Sequence, residues 1–282
     1  MASESGAVIK IEPPDRVSLG LDVVIPAHNR LELTITCLKS LYSFTRTPFH
    51  LIVIDDSTDL TPLYMAQFCK EHDNVTYVHS DEPYKNGNQI FNIGFRNAKT
   101  DFIATVMNSV RVEPDWEVVA LQIIKGDPKV GVIGLKCLFP DGKIESAGIR
   151  MISYLPTDIG RDWASHRLST VHEPDAVQWA FALHRKQAVL DLEETVFHGF
   201  RGWDDIDNCF VVKKRGFKVL SCGLGVGYHT PRATRGDDSP TASQENRENG
   251  HLFYKRWGLW ENFIKEHPDG VDVHALPREV LV

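Results

Sequence analysis

Apolar runs of four to six residues alternate with longer amphipathic stretches along the first half of the chain. Residues 21–25 (LDVVI) form a short apolar run closed by Pro26, the pattern of a buried strand. Residues 31–44 then place Leu31, Ile35, Leu38, Leu41 and Tyr42 at helical spacing. Residues 51–54 predict a second strand, ending at Asp55-Asp56. Thr61-Pro62 supplies an N-cap and a first-turn proline for a helix running to about residue 72. A third strand follows at 75–78, then a polar loop at 80–87 and a helix through Phe91, Phe95 and Ala98. A fourth strand at 102–107 precedes a helix that starts at Pro114 and carries Trp116, Val119, Ile123 and Ile124. Strand and helix alternating with short links predict a parallel, doubly wound sheet with helices on both faces. Ligands of such sheets bind beyond the carboxyl ends of the strands. The residues placed there are Pro26, Ala27, His28, Asn29 and Arg30, the pair Asp55-Asp56, the stretch 80–88, and Asn108-Ser109.

After Val130 the pattern loosens. Residues 130–137 and 143–147 flank Pro140-Asp141-Gly142 and predict a hairpin. Residues 153–175 are polar and irregular, long enough to read as a functional loop. A strand at 176–184, a helix at 204–215 ended by Gly216, a strand at 217–221 and a terminal helix at 245–257 complete the expectation. Residues 231–243 read as a mobile loop. The second half extends the same sheet rather than forming a free domain. The expected organisation is a flexible leader at 1–18, one domain at 19–258 with halves 19–126 and 127–258, and a tail at 259–282.

The chain has 282 residues with 42% hydrophobic and 24% charged, a soluble globular profile. Its net charge of −7 does not favour nucleic acid held by bulk electrostatics. No run approaches the ~18 apolar residues of a spanning helix, and residues 1–19 lack a signal-peptide core. The five cysteines are scattered without a CxxC pair, so neither a disulfide framework nor a zinc site is expected. A reducing, cytoplasmic setting follows, at most peripheral to a membrane. The Asn74-Val75-Thr76 sequon is then incidental.

Several motifs carry chemistry beside a plain structural reading. Asp55-Asp56 is either a turn with a helix cap or a carboxylate that accepts hydrogen bonds from a nucleotide's base or ribose. The run Gly223-Leu224-Gly225-Val226-Gly227 comes too late, and without a following helix, to be a dinucleotide fingerprint; it reads as a tight backbone passage. Asp204, Asp205 and Asp207 open a helix, as caps or with Asp205 projecting as a general base whose ionised form the helix N-terminus favours. Trp179 lies in a stretch that reads as core, with stacking on a sugar face as the functional alternative. His229 follows the glycine-rich strand; a lone histidine is more often structural than a ligand.

Taken in order, the segments VVIPAHNR (23–30), IVIDDSTDLT (52–61), NGNQIFNIGFRNAKTDFIATVMNS (86–109), VEPDW (112–116), VGVIGLKCLFPDGKIESAG (130–148), WDDIDNCFVVKKRGFKV (203–219), YHT (228–230) and NGHLFYKRWG (249–258) resemble the inverting glycosyltransferases of family 2, with the GT-A fold. The resemblance implies a mostly parallel α/β sheet and transfer of a sugar from a nucleotide-sugar donor to a glycan, lipid-linked or other hydroxyl acceptor. It places His28 near the donor base and Asp56 on base or ribose. The donor side is expected to comprise Pro26, Ala27, His28, Asn29, Arg30, Asp56, Lys85, Gly87, Asn88, Asn92, Asn108 and Ser109. Asp204 and Asp205 match the acidic pair whose second member is the base, Trp179 and Trp203 fall to the acceptor, and His229 to the metal or diphosphate.

The chain departs from the family at one point. After the fourth strand it reads Asn108-Ser109-Val110, with Ser109 or Val110 in the place of the metal-binding aspartate. A divalent cation, Mn²⁺ or Mg²⁺, prefers carboxylate oxygens, so conventional metal binding is in question. The leaving diphosphate then needs a donor-dependent metal, His229, Lys85, Arg232 or Arg235. The rival expectations are a sugar-nucleotide-binding protein without catalysis, and a sugar-1-phosphate nucleotidyltransferase. The latter would want a glycine-rich loop where residues 26–30 stand.

Overall fold

The computed structural model describes residues 8–11, 20–197, 199–200, 202–231, 233 and 240–268. The first half runs β1 (Val8–Ile11), β2 (Leu21–Ala27), α1 (Leu31–Phe44), β3 (Phe49–Asp55), α2 (Thr61–Glu71), β4 (Val75–Ser80), α3 (Gly87–Asn97), β5 (Phe102–Val106), β6 (Val110–Val112) and α4 (Val118–Gly126). The second half runs β7 (Val130–Leu138), β8 (Ile144–Ser146), β9 (Ile149–Ile152), β10 (Leu155–Asp158), β11 (Val171–His172), β12 (Phe181–Arg185), α5 (Lys186–Val189), α6 (Asp204–Lys214), β13 (Lys218–His229), α7 (Pro240–Arg256) and α8 (Trp260–Glu266).

One sheet carries both halves, in the order β1-β4-β3-β2-β5-β12-β7-β13-β11. β4, β3, β2 and β5 are mutually parallel, as their alternation with helices requires. β12 is antiparallel to both β5 and β7, so the sheet is mixed. The reason is where the chain arrives: Phe181 pairs with Val106, and Met107 N–H donates to Ala180 O at 2.9 Å, so β12 begins at the carboxyl end of β5. β7 and β13 are parallel, with a register break between Cys222 and Val226.

β2 and β3 are buried at every position, as continuous apolar strands between two helix layers must be. α1 turns Cys37, Leu38 and Leu41 inward. α3 turns Ile90, Phe91 and Phe95 onto the other face, and its Gly94 lets the helix lie close on β2: a Cβ there would stand 2.5 Å from Val24 Cγ1. The glycine run lies inside β13. A Cβ at Gly225 would stand 2.4 Å from Trp116 O, and one at Gly227 would stand 2.9 Å from the Phe181 ring, so the backbone passes close to its neighbours there.

Several expectations shift. Val8–Ile11, inside the expected leader, pairs antiparallel with β4. The helix expected at Pro114 begins at Val118, because Asp115 takes a left-handed backbone (φ 62°). The expected loop at 153–175 contains β10 and β11. The strand expected at 217–221 continues to His229, α7 begins at Pro240, and the expected tail contains α8. α2 begins at Thr61 itself rather than after it, and Asp59 Oδ1 accepts from Thr61 N at 2.8 Å. The Asn74 amide donates to Phe49 O and accepts from Tyr42 Oη, and Thr76 is buried, which leaves the sequon enclosed.

Candidate active site

Two turns at the carboxyl ends of β2 and β3 are lashed together. Asn29 and Arg30 take left-handed backbone angles (φ 53° and 60°), which folds the chain back over β3. Asn29 N donates to Ser57 Oγ at 2.6 Å, and Asn29 Oδ1 accepts from Thr58 N at 2.8 Å and Asp59 N at 3.1 Å. Beneath them Asp55 is fully buried and accepts from Ser57 N, Ser57 Oγ, Tyr77 Oη and His79 Nδ1. Such a carboxylate, satisfied on every side, is a scaffold for the turn.

Asp56, also buried, follows on the same scaffold. Its Oδ1 lies 2.8 Å from His28 Nδ1 and its Oδ2 accepts from Tyr84 N at 2.9 Å. The His28 side chain is 49% exposed over a nearly enclosed partner. Asp56 therefore holds a half-exposed imidazole at the carboxyl end of β2. Pro26 and Ala27 are buried in β2 opposite Ile54 and Asp55, so they end the strand and offer no open side chain. Arg30 Nε donates to Ala233 O at 2.8 Å, which joins the first turn to the segment after β13. Lys85 is exposed. Arg232 and Arg235 lie outside the described residues.

The end of β5 meets the same turn. Asn108 is buried, and its Nδ2 donates to Thr34 Oγ1 at 3.1 Å and Asn29 O at 3.3 Å. Ser109 O accepts from Thr230 N at 3.0 Å, and His229 pairs with Val110 across β6 and β13. His229 thereby reaches the position after the fourth parallel strand, next to Asn108-Ser109. Among the described residues no group of three His, Cys, Asp or Glu side chains converges to hold a metal ion.

Asn88 and Asn92 are buried and hydrogen-bonded within the protein. Asn92 Nδ2 donates to Leu192 O and Glu194 Oε1, both at 2.7 Å, while its Oδ1 accepts from Leu192 N at 2.9 Å. Asn88 Nδ2 donates to Glu193 O at 2.9 Å, and its Oδ1 accepts from Asn208 Nδ2 at 2.7 Å. With Asn86, which donates to Glu194 O at 2.6 Å, they tie α3 to the 192–194 segment and to α6. The expectation of donor contacts for Asn88 and Asn92 is corrected on this ground: their amides are buried and spent within the protein.

That tie carries the acidic pair. Trp203 adopts φ 73° immediately before α6 and donates from Nε1 to Asn246 Oδ1 at 2.8 Å, its ring against Phe253 and Tyr254. Asp204 and Asp205 follow, both half-buried. A Cβ on Gly87 would stand 2.6 Å from Asp204 Oδ2, so the carboxylate lies directly over the first residue of α3. The unpaired amides of a helix N-terminus favour a negative charge in that place. Asp207, two residues on, is buried; its Oδ1 accepts from Trp257 Nε1 at 2.7 Å and faces Arg256 Nε at 3.1 Å. Burial pushes its carboxyl above the ordinary range.

Trp179 is corrected outright as an acceptor residue. It is 0% exposed and packs on Phe91, Phe95 and His184, within the core under α3. Two buried or half-buried carboxylates not among the expected site residues lie near the end of β13 and in β10. Glu145 lies 2.7 Å from His229 Nδ1. Asp158 faces Arg161 Nη1 at 3.1 Å and accepts from Gln178 Nε2 at 3.0 Å. Desolvation first, then the charge of Glu145, raises the Asp158 carboxyl to about 6 despite Arg161 and hydrogen bonds that oppose the rise. Burial first, then the negative charges of Glu145, Asp158 and Asp205, pushes the Cys137 thiol well above its ordinary value. The signal for Glu145 was an acid next to Ile144 in the short strand Ile144–Ser146 of the predicted hairpin.

The family model for Glycosyl transferase family 2 matches residues 22–157. The protein y4gI of Sinorhizobium fredii (strain NBRC 101917 / NGR234) is 24% identical over 260 residues, 84% of this chain and 27% of that protein. Chondroitin synthase of Pasteurella multocida (strain Pm70) is 27% identical over 124 residues, 43% of this chain and 13% of that enzyme. The chain thus spans about a quarter and about an eighth of the length of these curated relatives. Among solved structures, GalNAc-T7 with UDP, GalNAc and Mn²⁺ superposes with a TM-score of 0.65 at 15% identity, over 92% of this chain and 53% of that one. The fold is GT-A.

Proposed function

Because residues 22–157 belong to glycosyl transferase family 2, we propose that the chain transfers a sugar from a nucleotide-sugar donor to an acceptor hydroxyl, with inversion and with Asp205 as general base. The observation that carries this reading is a pair of independently built parts linked through residues 84–87, where Tyr84 N bonds Asp56 and Gly87 lies under Asp204. The lashed turns of β2 and β3 present His28 over Asp56, and α6, pinned to α3, presents Asp204-Asp205. Donor base and ribose fit the first part, with His28 against the base and Asp56 holding it. The diphosphate then runs toward Ser109 and His229.

The acceptor hydroxyl attacks the anomeric carbon from the side opposite the diphosphate. Its proton passes to the Asp205 carboxylate as the new C–O bond forms, and the bond to the diphosphate oxygen breaks. Asp205 sits in the first turn of α6, where the unpaired N–H groups of the helix end favour a carboxylate that can take the proton. Trp203, held by Asn246, fixes the start of that helix. A divalent cation, Mn²⁺ or Mg²⁺, fits these residues only when the diphosphate supplies most of its oxygens: the chain offers His229 with the neutral oxygens of Asn108 and Ser109. When bound it would neutralise charge on the leaving group. The Asn108-Ser109 pair is also what favours the second reading, donor binding without turnover.

The test is release of nucleoside diphosphate from a panel of UDP- and GDP-sugars, by wild type and Asp205→Asn. Wild type is expected to release it. Asp205→Asn is expected to bind donor normally and to turn over about 10²–10⁴-fold more slowly, the range for lost acid–base catalysis. Equal rates would remove Asp205 from the mechanism. Tight donor binding without release by wild type would establish the second reading.

A further inference from the structure

The His229 ring is held from both sides of its backbone and from its own Nδ1. Its strand pairs with β6, the next residue's N–H is bonded to Ser109 O, and Nδ1 lies 2.7 Å from Glu145 Oε2. The two side chains are 13% and 6% exposed. A carboxylate only accepts, so the proton of this bond belongs to Nδ1. Nε2 forms no hydrogen bond among the described residues. Glu145 comes from β8, a three-residue strand paired to β7, and therefore approaches His229 from a separate element with a backbone of its own.

We propose that Glu145 is a positioning residue. It fixes His229 as the Nδ1–H tautomer and turns the Nε2 lone pair into the cleft beside Ser109. The inference rests on the reading that His229 faces the donor diphosphate. An imidazole whose Nε2 has a lone pair is a ligand for a cation shared with diphosphate oxygens, and a partner on the other nitrogen both orients it and raises its basicity. This gives a nearly enclosed acid a role beside His229. A single protein nitrogen makes a weak site, so the cation is expected to bind with nucleotide and not alone.

The experiment uses the full chain with ¹⁵N-labelled histidine, as wild type, Glu145→Gln, Glu145→Leu and His229→Ala. The imidazole ¹⁵N shifts of His229 report which nitrogen carries the proton, and calorimetry measures Mn²⁺ binding in the presence of UDP or GDP. Wild type is expected to show Nδ1–H. Glu145→Leu is expected to lose that tautomer and to weaken joint Mn²⁺–nucleotide binding by about 10–100-fold, the range for lost outer-shell partners. Glu145→Gln, whose amide oxygen still accepts, should recover most of both. His229→Ala should abolish the joint binding. A wild-type ring protonated on Nε2 overturns the proposal, as does Glu145→Leu behaving like wild type while His229→Ala loses binding. If His229→Ala also binds like wild type, or wild type binds no Mn²⁺ with either nucleotide, the reading of His229 itself falls. Should Glu145→Leu not melt cooperatively, the wild-type tautomer and the Glu145→Gln titration decide the matter.

Discussion

At the scale of residues, the closest approach in the site is a missing side chain. Gly87 leaves room for the Asp204 carboxylate over the first turn of α3, where a Cβ would come within 2.6 Å of Oδ2. The clash is with the far end of a flexible side chain, so Gly87→Ala should displace Asp204 with little effect on folding. The melting temperature is expected to stay close to wild type. A displacement of about 1 Å at a reacting group costs about a hundred-fold; Asp204 is one residue from the proposed base, so turnover is expected to fall about ten-fold. Unchanged kinetics in a folded Gly87→Ala would show that Asp204 does not need this seat. Asp56 illustrates how far the residue reading went. Its place at the end of β3 was legible from an apolar run closed by two acids. Its bond to His28 was not, because the partner is 28 residues away and only the parallel pairing of β2 with β3 brings them together.

At the scale of elements, the asparagines of α3 join that helix to the 192–194 segment and to α6. Asn92 both donates to and accepts from Leu192, and Asn88 meets Asn208 of α6. Replacing Asn92 with alanine leaves Leu192 N and O without their partner in a buried place. Urea unfolding should show a loss of about 1–3 kcal/mol, the cost of stranding such groups. Nucleotide affinity of the folded variant should be unchanged. A large loss of affinity at normal stability would return Asn92 to the donor pocket. Trp179 has the same origin: its run reads as apolar at sequence level, and the packing of α3 on the sheet decides that the ring lies inside. α7 shows the reverse. Its polar first turns hide its role until Asn246 meets Trp203 and Arg256-Trp257 meet Asp207.

At the scale of the whole molecule, Asp158 couples stability to pH. Burial raises its carboxyl from 3.8 to about 6. Between those values the folded chain holds a proton that the unfolded chain has released. Its contribution is present below about pH 4 and is lost as the pH rises through about 6, an amount of at most ~3 kcal/mol. Relative to Asp158→Asn, wild type should therefore lose stability across that window in parallel urea titrations; a constant difference would refute the assignment. Among the described residues no helix is long and apolar enough to cross a membrane. The alternation of apolar runs and amphipathic stretches determined the α/β class and the parallel half-sheet, because strand and helix periods are local and burial follows them. The acidic pair before residues 206–214 was legible for the same reason: a helix start has a chemical signature. Tertiary structure alone decided the antiparallel entry of β12, the enclosure of Trp179, the use of Asn88 and Asn92 as ties, and the meeting of Glu145 with His229. Each of these is a contact between residues far apart in the chain, set by which strands become neighbours, and no local pattern encodes that.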